Sequence, residues 1–187
     1  MPGFGDPDAR ILIVGLAPAA HGGNRTGRVF TGDASGDFLF AAMHAVGLAN
    51  QPTGRRADDG LAFRDAYIAA AVRCAPPANK PTPLERDNCA PYLARELVAL
   101  SGVTVLVPLG AFGWEAAFRA IADATGSDAR PRPRFGHGAV ARAGRYAVLG
   151  SYHPSQQNTF TGRLTQPMLV DVLRRAQELA DADHVST

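Results

Sequence analysis

Short runs of branched apolar residues alternate along this chain with longer segments in which apolar residues recur at helical spacing. The runs at 11–14 and 103–107 are continuous rather than alternating, which is typical of strands buried on both faces of a sheet. Shorter strands are predicted at 67–72, 139–141 and 146–149. Strands that alternate with helices favour a mainly parallel sheet covered by helices on both faces. We therefore predict one three-layer α/β domain spanning residues 1–187.

Helical periodicity predicts four helices, separated by glycine and proline. They are expected at 38–46, at 93–100, from Gly110 onward, and at 167–179. The segment 74–91 contains five prolines, so no long helix is predicted there, and Thr82 is expected to cap only a short turn. The residues after Leu179 are predicted to form a polar tail.

The composition bounds the class of protein. With 46% hydrophobic and 19% charged residues, the 187-residue chain is typical of a folded globular protein. No apolar run approaches about 18 residues, so no membrane span is expected. The N-terminal residues lack the basic start and the apolar stretch of an export signal, which favours a cytoplasmic location. The net charge is only +2, so charge alone does not identify a nucleic-acid binder.

Ligands of α/β proteins bind beyond the carboxyl ends of the strands, which directs attention to the loops 15–36, 73–83 and 151–165. The first loop is rich in glycine but lacks the motifs that bind nucleotide phosphates. Phe30 in this loop either packs beneath it or provides a stacking surface for a flat ligand. Asp33 either caps the following helix or orients a water molecule.

In the last loop, His153 directly follows a predicted strand and is held by Pro154, which is how a catalytic imidazole would be mounted. The alternative is a structural histidine beside a solvated polar loop. Four consecutive side chains then add hydrogen-bonding groups: Ser155, Gln156, Gln157 and Asn158. No serine-hydrolase elbow is present, and the histidines and cysteines lack zinc-ligand spacing.

Three motifs together resemble the uracil-DNA glycosylase superfamily, most closely its family 5. They are GLAP at 15–18 with NRTGRVFTGD at 24–33, CAPPAN at 74–79, and HPSQQN at 153–158. The resemblance covers nearly the whole chain. It implies a four-stranded, mainly parallel sheet between helices. It also implies a monofunctional repair enzyme that hydrolyses the N-glycosidic bond of uracil in DNA and leaves an abasic site. We expect this enzyme to be a monomer.

The resemblance further implies roles for individual residues. His153 would donate a hydrogen bond to the departing base, and Asn158 would hold the base or the loop. Phe30 would stack on a base extruded from the duplex. The other base-binding positions are Gly15, Leu16, Ala17, Pro18 and Asn79. The implied DNA contacts are Asn24, Arg25, Arg28, Ser155, Gln156, Gln157 and Arg163.

Three positions depart from related branches of the family. Leu16 and Ala17 are apolar where other branches carry groups that steer the attacking water, so we expect Asp33, or else Asn79, to place it. Ala70 stands where a related branch has an asparagine that reads the edge of uracil. Loss of that contact should loosen selectivity, and we hypothesise that hypoxanthine or xanthine is also accepted.

The family also binds a [4Fe–4S] cluster through four cysteines. This chain has two, Cys74 and Cys89, which match the later pair of ligands. The earlier pair would fall in a segment preceding Met1. Two alternatives follow: the protein begins upstream, or the cluster is missing. The cluster is not needed for the chemistry.

Two other functions compete with a glycosylase. A damaged-DNA-binding protein would share the base pocket without catalysis. A small-molecule α/β hydrolase could share the architecture without binding DNA, since fold does not determine function.

Overall fold

The computed structural model describes residues 1–184 and contains one six-stranded sheet. The strands are β1 (Phe4–Gly5), β2 (Ile11–Gly15), β3 (Ala66–Ala70), β4 (Val105–Pro108), β5 (Val140–Ala143) and β6 (Tyr146–Leu149). Their order across the sheet is β1-β3-β2-β4-β6-β5. β3, β2, β4 and β6 are parallel neighbours, and β1 and β5 pair antiparallel at the two edges. The predicted parallel sheet is confirmed as the four central strands.

Helices cover both faces of the sheet. They are α1 (Gly23–Thr26), α2 (Ala34–Ala45), α3 (Pro83–Ala99), α4 (Gly110–Thr125), α5 (Gln156–Phe160) and α6 (Gln166–His184). On one face, α2 and α6 pack together over a core that includes Phe40 and Leu173. On the other face, α3 and α4 pack over a core that includes Leu97 and Trp114. The predicted three-layer α/β architecture is therefore confirmed.

The proline-rich segment differs from the prediction. Thr82 does cap a helix, and its reciprocal hydrogen bonds with Glu85 form a capping box. That helix is not a short turn, because α3 continues through Pro91 to Ala99. Pro91 is exposed, whereas Leu93 and Leu97 on the same helix are buried. Burial of these leucines stabilises α3 in spite of the hydrogen bond that the proline cannot donate.

Two smaller predictions also change. The last helix continues past Leu179 to His184, so the prediction of a polar tail is wrong for residues 180–184. Residues 185–187 lie outside the described residues. The last loop contains the short helix α5, which was not predicted. Over residues 1–184, the helices include none with the length and apolar character needed to cross a membrane.

The parallel strands bring the candidate loops to one edge of the sheet. β2 ends at Gly15 and is paired in register with the end of β3 at Ala70. Beyond β4 and β6, Leu109 bridges Ser151, and the Gly110 N–H donates to the Ser151 carbonyl at 2.7 Å. The backbone just before His153 is therefore fixed to the sheet.

Candidate active site

A cavity of about 360 Å³ opens where the predicted loops meet. Its walls come from the loop after β2, from a 3₁₀ turn at Pro77–Asn79 and from the loop after β6. The lining residues are Leu16, Ala17, Ala19, Phe30, Asp33, Ser35, Asn79, His153, Ser155 and Gln157. Most of the predicted catalytic and base-binding side chains therefore share one cavity. Gly15 and Pro18 are not among its lining residues.

The rings of Phe30 and His153 face this cavity with centroids 6.0 Å apart and planes inclined by 32°. Phe30 has a left-handed backbone, with φ of 55°. Its ring lies so close to Gly15 that a Cβ there would approach it to 2.6 Å. Phe30 therefore packs against the end of β2 and also presents its ring to the cavity, so the two alternatives left by the sequence are compatible.

His153 is partly buried, and burial lowers the pKa of its imidazole to about 4, although the nearby Asp33 carboxylate acts in the opposite direction. The ring is therefore neutral at neutral pH. Its nitrogens make no hydrogen bond to any residue within the described range 1–184. A neutral imidazole carries one N–H donor, which His153 can offer to a ligand in the cavity.

Asp33 caps the following helix, which is one of the two roles that the sequence left open for it. Its Oδ1 accepts a hydrogen bond from the Gly36 N–H at 2.9 Å and caps α2. The same carboxylate lines the cavity. A Cβ at Gly22 would lie 2.1 Å from Asp33 Oδ2, so glycine at that position leaves room for the carboxylate.

Asn158 lies behind the cavity wall. Its Nδ2 donates to the backbone carbonyl of His153 at 2.8 Å. Ser155 occupies the N-cap position of α5, where its carbonyl accepts from the Asn158 and Thr159 N–H groups. These bonds close the 153–159 segment on itself. Asn158 therefore contacts the loop, which was one of its two predicted roles.

The arginines near the cavity differ in their exposure to solvent. Arg25 is exposed, and its Nε donates to the His21 carbonyl at 2.9 Å. It shares an adjoining recess with Arg55, which was not predicted as a site residue because it lies in an apparent surface connection. The two segments are joined by the Gly32 N–H, which donates to the Gly54 carbonyl at 2.8 Å.

The predicted role of Arg28 must be corrected. Its side chain is only 4% exposed and forms an ion pair with Asp59 at 2.8 Å. Its Nε donates to Thr31 Oγ1 at 2.8 Å, and its guanidinium lies 5.0 Å from the Phe4 ring centroid. Removing a buried cation from its partner would leave the Asp59 charge uncompensated, so Arg28 is held inside the protein. The prediction that it contacts DNA is wrong.

The two cysteines do not provide a cluster site by themselves. Cys74 is exposed, and Cys89 is buried with its Sγ accepting from the Arg73 N–H at 3.5 Å. Residues 1–184 contain no group of three or more histidines, cysteines and carboxylates placed to bind a metal ion. A [4Fe–4S] cluster needs four thiolates, so the described residues do not fit it.

Comparison with known proteins identifies relatives over most of the chain. A family model described as the Uracil DNA glycosylase superfamily matches residues 2–177. The chain is 54% identical over 182 residues to a type-5 uracil-DNA glycosylase of Mycobacterium tuberculosis, covering 96% of this chain and 66% of that relative. It is 50% identical over 182 residues to a type-5 uracil-DNA glycosylase of Thermus thermophilus, covering 96% and 80%. The chain thus spans slightly less than two thirds of the mycobacterial relative's length.

The low pKa of His153 predicts a pH-dependent stability. Between about pH 4 and the usual histidine pKa near 6.5, the unfolded chain binds a proton that the folded protein does not, so the wild type loses stability as the pH falls through this window. His153→Ala removes this contribution. The difference in unfolding free energy, variant minus wild type, should increase by about 2 kcal/mol when the pH is lowered from 7.5 to 5. Urea denaturation at the two pH values measures this difference.

The exposed His44 on α2 offers the control. His44→Ala should show no comparable change of relative stability between the two pH values. Parallel pH profiles for wild type and His153→Ala would contradict the assignment of a neutral, desolvated imidazole.

Proposed function

The chain belongs to the uracil-DNA glycosylase superfamily, and on that premise we propose that it hydrolyses the N-glycosidic bond of uracil in DNA and leaves an abasic site. The observation that carries the proposal is the shared cavity of Phe30 and His153, whose ring centroids are 6.0 Å apart.

A base stacked in duplex DNA cannot reach this cavity, so the target nucleotide must be turned out of the helix. The Phe30 ring offers the extruded base a flat surface. Leu16, Ala17 and Asn79 also line the cavity. Backbone N–H groups near Leu16 and Ala17 would meet the edge of the base, and the Asn79 amide would offer both donors and an acceptor. Stacking and hydrogen bonds of this kind are what retain a base outside its duplex.

His153 would assist departure of the base. As the glycosidic bond breaks, negative charge develops on the uracil and positive charge on the deoxyribose. A neutral imidazole N–H directed at a uracil carbonyl oxygen stabilises the developing anion without transferring a proton. The low pKa of His153 supports this role as a hydrogen-bond donor, because the cation is disfavoured at neutral pH.

Asp33 is the group that we propose to orient the attacking water. Its carboxylate lines the cavity, and its cap to the Gly36 N–H fixes its direction. A carboxylate there also favours the positive charge that develops on the sugar. Asn79 is the alternative group for this role, whereas Leu16 and Ala17 carry no polar side chain.

DNA contacts would surround the cavity. Arg25 and Arg55 line the recess beside Asp33, and Arg163 is exposed on the other loop. Phe160 on α5 is 80% exposed, and an exposed apolar side chain beside a base pocket supports a wedge that enters the stack. The remaining polar side chains proposed to contact the strand are Asn24, Ser155, Gln156 and Gln157.

The central test is release of uracil. Wild-type protein is incubated in excess over a uracil-containing oligonucleotide, and abasic sites are then cleaved with alkali. His153→Ala should lower the single-turnover rate constant by about 10²- to 10³-fold, because it removes a preorganised donor to the departing base.

The exposed His44 again provides the matched control, since His44→Ala should keep the wild-type rate. Tight binding of wild-type protein to uracil DNA with no release of base would identify a damaged-DNA-binding protein instead. No affinity for DNA at any salt concentration would favour a small-molecule hydrolase.

We propose further that the pocket accepts deaminated purines. Ala70 lies at the end of β3, paired with Gly15, and its methyl group offers no hydrogen bond that would select uracil. Strands containing hypoxanthine or xanthine should therefore also lose their base, more slowly than uracil. Ala70→Asn should reduce purine release relative to uracil release in the same assay. Strict selectivity of the wild type for uracil would contradict this proposal.

The salt dependence of DNA binding tests the arginine recess. Log affinity falls linearly with log salt concentration, and each phosphate contact that is removed lowers the slope by about 1. Replacing both Arg25 and Arg55 with glutamine should therefore flatten the slope measured by fluorescence anisotropy. Arg174→Gln on α6 is the control, because Arg174 already pairs with Asp171. An unchanged slope in the double variant would remove this recess from the DNA interface.

A further inference from the structure

A side-chain stack lies directly behind the candidate active site. The His137 and Tyr152 rings are nearly parallel, with centroids 5.0 Å apart and planes inclined by 25°. The Arg163 guanidinium lies 4.7 Å from the centroid of the same tyrosine ring. Phe135 also meets this ring edge-on at 6.2 Å. Tyr152, the residue that precedes His153, is therefore held on several sides.

A hydrogen bond between His137 and the Tyr152 backbone accompanies this ring packing. The Tyr152 backbone N–H donates to His137 Nδ1 at 3.2 Å. Nδ1 can accept only when it carries no proton, so this bond requires the His137 tautomer protonated at Nε2. Burial lowers the pKa of His137, opposed by a hydrogen bond with the Met168 backbone, and so favours the neutral ring. A neutral ring is the form that the Tyr152 bond needs.

The bond extends the sheet past its last backbone pair. Beyond β5 and β6, the Gly138 N–H donates to the Gly150 carbonyl at 2.8 Å, and the Gly150 N–H donates to the Ala139 carbonyl at 2.9 Å. The next outward position is Tyr152, whose N–H finds a side-chain nitrogen instead of a carbonyl. His137 thus supplies the last acceptor before the chain turns into the His153 loop.

We propose that His137 is a positioning residue for His153, acting through the backbone of Tyr152, in the reaction under Proposed function on which this inference rests. Tyr152 directly precedes His153, so the bond from its N–H to His137 Nδ1 limits rotation of the chain that carries the catalytic imidazole. Misplacement of a catalytic group by about 1 Å can cost about 10²-fold in rate. The Arg163 contact joins the same stack to the loop proposed to meet DNA.

The test separates the acceptor from the ring. His137→Phe keeps an aromatic ring against Tyr152 but removes the acceptor, whereas His137→Asn keeps an acceptor oxygen close to the Nδ1 position. We expect His137→Phe to lower the single-turnover uracil release rate by about 10- to 100-fold. The DNA concentration giving half-maximal rate should remain within about twofold of wild type, since the variant leaves the proposed DNA contacts in place. His137→Asn should recover most of the rate.

Equal rates for wild type and His137→Phe, or equal loss in the Phe and Asn variants, would overturn the proposal. An increase in the DNA concentration that gives half-maximal rate, with no change in the maximal rate, would overturn it too. Thermal unfolding verifies folding, and His137→Leu, which also lacks the acceptor, replaces the Phe variant if that protein is unfolded. His44→Phe, at an exposed position on α2, serves as control. Failure of the wild type to release uracil would instead count against the proposed function, so the two failures are distinct.

Discussion

A Cβ atom at Gly36 would lie 1.6 Å from the carbonyl oxygen of Phe30, and one at Gly15 would lie 2.6 Å from its ring. Phe30 is therefore fixed between the end of β2 and the first turn of α2. This close approach also explains the left-handed backbone of Phe30, since the chain must reverse between two segments that touch it. The placement of Asp33 depends on the same contact, because the residue that caps α2 follows Phe30 by only three positions.

The second constraint is electrostatic and sets the protonation state of His153. The loop after β6 buries the His153 ring enough to keep it neutral, while Asp33 across the cavity favours its protonation. Burial has the larger effect, and the pKa falls. A fully protonated imidazole would pair with Asp33 and compete for the carboxylate that we propose orients water. Desolvation thus keeps two neighbouring polar groups in separate roles within one cavity.

The sequence predicted those features that depend on local pattern. Continuous apolar runs marked β2 and β4, and parallel topology brought the loops of Phe30 and His153 to one edge. Features set by distant contacts were missed. Arg28 reads as a surface arginine until Asp59, 31 residues away, pairs with it inside the protein. His137 has no motif around it, and its contact with Tyr152 arises only when β5 and β6 pair.

The segment that carries Asn79 is held by ordinary contacts among the described residues. Arg73 pairs with Glu96 at 2.6 Å and stacks on Tyr92 at 4.8 Å, which fixes the end of β3 to α3. The capping box of Thr82 fixes the other end of the segment. Between these points, the consecutive left-handed residues Ala78 and Asn79 turn the chain toward the cavity. These contacts hold the turn that carries Asn79 between the end of β3 and the start of α3, at the wall of the cavity.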